Sequence, residues 1–68
     1  MVYFIDNNHP GEIYLGTAED MMELADEGGY PSEWNGATGP VGTEVEVRCA
    51  SGDDCWVESW PIKLWRTR

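Results

Sequence analysis

The chain has 68 residues, of which thirteen are acidic and four are Lys or Arg, giving a net charge of −9. Residues 1–47 contain no Lys or Arg. This excludes DNA or RNA binding through that part and disfavours an anionic membrane surface, because both need basic side chains. A hydrophobic content of 41% favours a folded chain over a disordered one, and the length predicts one domain spanning residues 1–68.

Two short strands are predicted at the N-terminus. Val2–Ile5 is β-branched and aromatic, which favours a strand. Residues 6–11 are turn residues. Glu12–Gly16 is a second strand, with Ile13 and Leu15 on one face. Together these segments predict a β-hairpin.

A short helix is predicted from Thr17 to Gly29. Thr17 is a favourable N-cap residue, and Asp20 stands where the acidic partner of a capping box belongs. Gly28 and Gly29 supply a stop at the other end. Between them runs an apolar stripe, made of Ala18, Met21, Met22, Leu24 and Ala25.

Residues 30–42 contain Pro and Gly at short intervals, which predicts a loop with one turn near Ser32–Trp34. Loops of this length often bind partners. The other interpretation is a connection held in place by Tyr30 and Trp34 packing on the core.

A second hairpin is predicted over Thr43–Trp60. Strict alternation places Val45 and Val47 on one face and acidic residues on the other. Pro61 cannot donate to a strand ladder, so it predicts a bulge, a bend or an edge position. Ile62–Trp65 is predicted as a last strand.

The expected fold is therefore α+β, with one helix packed on a four- or five-stranded antiparallel sheet in the order ββαββ and an extra C-terminal strand as the fifth. The apolar helix residues Met21, Met22, Leu24 and Ala25 are expected to face apolar strand residues. These are Ile5, Ile13, Leu15, Val45 and Val47, together with some of the tryptophans.

The sequence holds no catalytic or cofactor-binding motif. Residues 6–17 partly match a calcium-binding loop but have Thr17 where a bidentate Glu is required. Cys49, Cys55 and His9 offer only three metal ligands without metal-binding spacing. Because the cysteines flank a short turn, free thiols and a cross-strand disulfide both fit. We therefore expect no enzyme activity, no cofactor and no metal site.

The C-terminus interleaves aromatic and basic residues, a pattern also seen on stacking surfaces for nucleic acids. The residues are Trp60, Lys63, Trp65, Arg66 and Arg68. In a chain of such acidity we interpret them as core tryptophans on a closing strand, with basic side chains that offset part of the acidic surface.

Acidic residues dominate the surface of the predicted helix. Glu19 and Asp20 gain from the helix dipole, whereas Asp26 and Glu27 oppose it, and like-charge pairs four residues apart cost about 0.2–0.5 kcal/mol each. Such carboxylates lie about 6 Å apart along the helix, which imitates a row of DNA phosphates. The other interpretation is a solvated face that keeps the chain soluble. The predicted partner-binding residues are Glu19, Asp20, Glu23, Asp26, Glu27, Glu44 and Glu46.

In size, acidity and architecture the chain resembles the small phage-encoded anti-CRISPR proteins that inhibit type I systems, some of which act as DNA mimics. The likeness rests on overall character and on the acidic helix, not on a shared motif. It implies a cytoplasmic monomer in a bacterial host that binds a basic nucleic-acid-binding protein, such as a type I CRISPR Cascade subunit, and blocks DNA recognition. The absence of an apolar run of about 20 residues and of a basic leader also predicts a cytoplasmic protein. The alternative is a protein-interaction module that binds through the aromatic loop Tyr30–Gly42.

Overall fold

The computed structural model describes residues 1–36 and 38–67. These described residues form one α-helix and five strands, which confirms the α+β class. The elements are β1 (Val2–Asp6), β2 (Ile13–Gly16), α1 (Ala18–Asp26), β3 (Pro31–Glu33), β4 (Glu44–Ser51), β5 (Asp54–Leu64) and a 3-10 turn (Trp65–Thr67).

The strands form one sheet in the order β3-β1-β2-β5-β4. Three neighbouring pairs are antiparallel, but β2 and β5 are parallel, with Ile13 beside Ile62 and Leu15 beside Leu64. The expectation of a wholly antiparallel sheet is therefore wrong for this pair. The reason lies in the strand directions. Strand β3 runs in the same direction as β2, and β4 runs in the opposite direction. The turn of the β4–β5 hairpin then returns β5 to the direction of β2.

Helix α1 begins and ends where the local signals placed it. The Asp20 amide donates to the Thr17 hydroxyl at 3.2 Å, and the Thr17 amide donates to the Asp20 carboxylate at 2.8 Å. These two bonds form a complete capping box. At the other end Gly28 adopts a φ of 94°, and the Gly29 amide donates to the Leu24 carbonyl at 3.0 Å. A glycine is favoured at that turn because other residues rarely adopt this backbone conformation.

The central strands of the sheet carry buried residues on both faces, so the core has two clusters. Alternate residues of a strand point to opposite faces. The helix side holds Phe4, Leu24 and Trp65, with Met21 and Tyr14 against them. The other side holds Ile13, Val45, Val47, Trp60 and Ile62.

This arrangement corrects the expected helix packing. Leu24 and Met21 lie against Phe4 and Trp65, not against Ile13 or the two valines. The Met22 side chain is 66% exposed, and Ala25 is exposed as well. The sequence pattern could not show that the strands bury both faces.

The segment after the helix is more ordered than a plain loop. Pro31–Glu33 forms β3, an edge strand paired with β1, where one turn was expected. Trp34 then packs on the second core cluster, with its ring centroid 6.2 Å from that of Trp60. The Tyr3 hydroxyl donates to the Gly39 carbonyl at 2.7 Å. These contacts hold the segment across the second face of the sheet.

The β4–β5 hairpin is confirmed and runs from Glu44 opposite Pro61 to Ser51 opposite Asp54. The expectation of a separate last strand over Ile62–Trp65 is wrong, because β5 continues through Pro61 to Leu64 as one element and Trp65 begins the 3-10 turn. The fifth strand of the sheet is β3 instead. Among the described residues, β5 pairs with β2 only from Ile62 onward. The part of the hairpin before Ile62 therefore forms a two-stranded arm.

Candidate functional site

The outward side of helix α1 presents a row of carboxylates. We call Glu19, Glu23, Asp26 and Glu27 the acidic helix row; all four residues are exposed. Within residues 1–36 and 38–67, Glu19, Glu23 and Asp26 form no ion pair and no side-chain hydrogen bond. The helix has no basic residue in its last turn. Glu19, Glu23 and Asp26 therefore face solvent, and their charge is not compensated by a basic residue of their own helix.

Asp20 does not belong to this surface. Its side chain is 4% exposed, and its carboxylate caps the helix through the Thr17 amide. The Arg66 side chain lies 3.7 Å from the other carboxylate oxygen. Asp20 thus stabilises the helix start and its junction with the C-terminal turn, and we omit it from the contact set.

Glu44 and Glu46 lie on a different part of the molecule. Both are exposed on β4, at the edge of the sheet opposite β3, whereas the helix contacts β1, β2 and β3. The Ser59 hydroxyl donates to Glu44 at 3.0 Å. These two acids therefore form a second surface that does not continue the acidic helix row.

The basic side chains divide into paired and unpaired ones. Lys63 lies 3.3 Å from Glu12, and Arg66 lies beside Asp20. Arg48, on the outer face of β4, has no ion pair within the described part of the chain. Arg68 lies outside the described residues.

The C-terminal tryptophans are core residues, as interpreted from the sequence. Trp60 is 6% exposed and Trp65 is 3% exposed, so neither ring offers a free face to a base. The Trp65 ring packs edge-on against Tyr14, with centroids 5.1 Å apart.

The cysteines lie on opposite faces of the arm. Cys49 is opposite Trp56 in the ladder, and Cys55 is opposite Ala50, so the two thiols point to different sides. Both thiols are free. This register disfavours the cross-strand disulfide that the sequence left open.

Asp6 organises the turn that partly matched a calcium loop. Its carboxylate accepts hydrogen bonds from the amides of Asn8 (3.0 Å) and Tyr30 (3.1 Å), and it lies 3.1 Å from the His9 ring. Burial raises the pKa of Asp6, but these partners together outweigh it and hold that pKa below its ordinary value. Among the described residues no group of three or more His, Cys, Asp or Glu side chains is placed to hold a metal ion.

Glu58 is a feature that the sequence interpretation missed. Alternation places Glu58 on the same face of β5 as Trp56 and Trp60, and both indole N–H groups donate to its carboxylate. These bonds, with a smaller contribution from Cys49, lower the pKa of Glu58. Burial, together with a hydrogen bond and charge from Glu58, raises the pKa of the Cys49 thiol. The spacing Trp-x-Glu-x-Trp was the available signal.

Comparison with known proteins finds no matching family model, no matching curated sequence and no matching solved structure. Within the described residues no helix has the length and apolar character needed to cross a membrane.

Proposed function

We propose that the protein is an anti-CRISPR-type inhibitor that binds a basic nucleic-acid-binding surface of a host defence complex and blocks DNA recognition. The acidic helix row supplies the contacts, with Glu19, Glu23 and Asp26 at its centre. The observation that carries this proposal is their exposure without any described basic partner.

The spacing of the row supports imitation of a DNA strand. At a rise of 1.5 Å per residue, Glu19 and Glu23 lie about 6 Å apart along the axis and Asp26 lies about 4.5 Å further on. DNA phosphates follow one another at about 3.4 Å of axial rise and lie further apart along the curved backbone. A groove lined with Lys and Arg for phosphates therefore suits this row.

Charge distribution supports the same proposal. Lys63 is paired with Glu12, and Arg66 is paired with the buried Asp20 rather than with an acid of the row. A net charge of −9 attracts a basic surface over a distance and speeds encounter. Electrostatic binding of this kind weakens as salt rises.

The aromatic loop is the less favoured candidate. The Trp34 ring packs on the core beside Trp60, so it is not free to anchor a partner without exposing that core. Tyr30 is 65% exposed and Val41 is 51% exposed, and these are separate side chains rather than a built pocket. The acidic helix row therefore has the better support.

Direct binding tests the proposal. A crRNA-loaded type I CRISPR surveillance complex is immobilised, and binding of the protein is measured by interferometry at low and high salt. We expect saturable binding whose affinity falls steeply with salt, because exposed charges are screened within about 10 Å at 0.1 M salt. Binding that is insensitive to salt indicates an apolar interface, and absence of binding at low salt removes this complex as the partner.

A further inference from the structure

We propose that the open edge of β4 pairs with β4 of a second copy of the chain, giving a symmetric dimer with a sheet continuous across both copies. This inference goes beyond the proposed function and does not depend on it, because the acidic helix row lies elsewhere. The sequence alone favoured a monomer; the position and pattern of β4 are the reason for the different proposal.

Strand β4 is the last strand of the sheet, and no described strand pairs with its outer edge. The Thr43 carbonyl accepts a hydrogen bond from the Ile62 amide at 2.9 Å. Because backbone groups alternate in direction along a strand, the odd-numbered residues of β4 bond to β5. The N–H and C=O groups of residues 44, 46, 48 and 50 therefore point to the open edge, which leaves a template for another strand.

One antiparallel register matches both the backbone and the charges. With the two-fold axis at Val47, Glu46 lies opposite Arg48 of the second copy, and Arg48 lies opposite Glu46 of the second copy. Both residues have outward backbone groups, so each pair also exchanges two backbone hydrogen bonds. Opposite charges directly across an antiparallel pair are favourable.

The neighbouring registers are worse. A shift of the axis to Glu46 keeps two opposite-charge pairs, Glu44 with Arg48, but adds a repulsive pair of Glu46 side chains at the axis. A shift to Arg48 brings two Arg48 side chains together and leaves no opposite-charge pair. Like charges directly opposite each other are destabilising. The charges therefore select the register centred on Val47.

The second observation that supports the dimer is the state of the Arg48 side chain. It is exposed and has no ion pair within the described residues, although the chain is strongly acidic. Glu46 stands two positions away on the same face and forms no salt bridge with it. The dimer gives both side chains a partner.

The free edge of β5 in the arm does not offer a similar pairing of opposite charges with a second copy. The free side of β5 before Ile62 has no Lys or Arg and includes Asp54 and Glu58. Pro61 also lacks an amide hydrogen to donate. Self-pairing through β5 would bring acids together, so β4 is the edge that fits a second copy.

Sedimentation velocity from the micromolar to the millimolar range tests the dimer. We expect the natural chain to show a concentration-dependent dimer. Arg48→Glu and Glu46→Arg, each alone, replace two favourable pairs with two repulsive ones, and we expect dimerisation to weaken about tenfold or more. Asp53→Arg, an exposed charge reversal at the hairpin turn, is the matched control and keeps the dimer.

Mixing the two single variants gives the sharper result. In a heterodimer of Arg48→Glu with Glu46→Arg, both pairs between residues 46 and 48 are again of opposite charge, so the one-to-one complex is tighter than the self-association of either variant alone. The double variant restores self-association for the same reason. A natural chain that stays monomeric into the millimolar range overturns the proposal, as does a mixture that forms no heterodimer while circular dichroism shows both variants folded.

Discussion

Trp60 donates its indole N–H to Glu58 at 3.1 Å, which holds a carboxylate against the apolar face of the β4–β5 arm. The same carboxylate raises the pKa of the nearby Cys49 thiol, after the larger effect of burial. We expect Glu58→Gln to lower that pKa and to speed alkylation of Cys49 at mildly alkaline pH, since the thiolate is the reactive form. The measurement is the pH dependence of the iodoacetamide rate, with Cys55 replaced by Ser in both chains. An unchanged profile contradicts the coupling.

Asp6 predicts a pH dependence of stability. Its pKa is lower in the folded chain than its ordinary value, so its stabilising contribution is present above about pH 3.9. That contribution is lost as the pH falls below this value and through the lower folded pKa. We expect Asp6→Asn to lower the free energy of unfolding by about 1–3 kcal/mol at neutral pH and by less in acid, measured by urea denaturation. A constant difference from neutral pH to about pH 3 contradicts this role.

The capping box predicts a specific cost at Thr17. Removal of its hydroxyl leaves the Asp20 amide without its cap. We expect Thr17→Ala to destabilise the chain by about 0.5–2 kcal/mol. In a domain of this size each kcal/mol lowers the melting temperature by roughly 4–8 °C, which calorimetry resolves. Thr38→Ala, at an exposed position outside the helices and strands, serves as the control and has a smaller effect.

The packing of Trp34 on the core predicts sensitivity at Gly36. A Cβ atom added there lies 2.7 Å from the Trp34 ring, so either the ring or the backbone at residue 36 must shift, which disturbs the packing of Trp34 on the core. We expect Gly36→Ala to cost about 1–3 kcal/mol and to shift tryptophan fluorescence to longer wavelength. The neighbouring exposed substitution Asn35→Ala is the comparison. Equal effects from both variants contradict tight packing of Trp34.

The structural features that the sequence predicted correctly are determined by residues close together in the chain. The helix bounds follow from Thr17, Asp20 and the Gly28–Gly29 stop, and the β4–β5 hairpin follows from strict alternation beside a turn. Each signal involves residues a few positions apart, so it does not depend on the rest of the fold.

The features missed depend on distant partners. The parallel pairing of β2 with β5 joins residues about fifty positions apart, and no local pattern encodes it. Strand β3 is only three residues long and begins with Pro31, so it lacks an alternating pattern of its own. Its pairing with β1 is what makes it a strand.

The candidate site also combines features that the local sequence predicts with features that depend on distant parts of the chain. Exposure of Glu19, Glu23 and Asp26 follows from the helix period. The sequence predicts Asp20 as both a cap and a contact residue, but its side chain is 4% exposed and accepts from the Thr17 amide, so it acts as the cap. The separation of Glu44 and Glu46 from the helix depends on strand order, which the sequence did not specify.

The central claim is that the acidic helix row replaces DNA on a basic surface. The direct measurement is displacement of labelled target DNA from a crRNA-loaded type I CRISPR surveillance complex, followed by fluorescence anisotropy. The test variant is Glu23→Lys with Asp26→Lys; both positions are exposed, and lysine near the end of a helix does not oppose the dipole. The control is Asp53→Lys with Asp54→Lys, which makes the same change in net charge at the hairpin turn.

We expect the natural chain and the hairpin control to displace the DNA, and the helix variant to lose displacement by at least tenfold while its melting temperature stays close to that of the natural chain. Equal loss in both variants would mean that net charge alone is responsible. Full displacement by the folded helix variant would contradict the account.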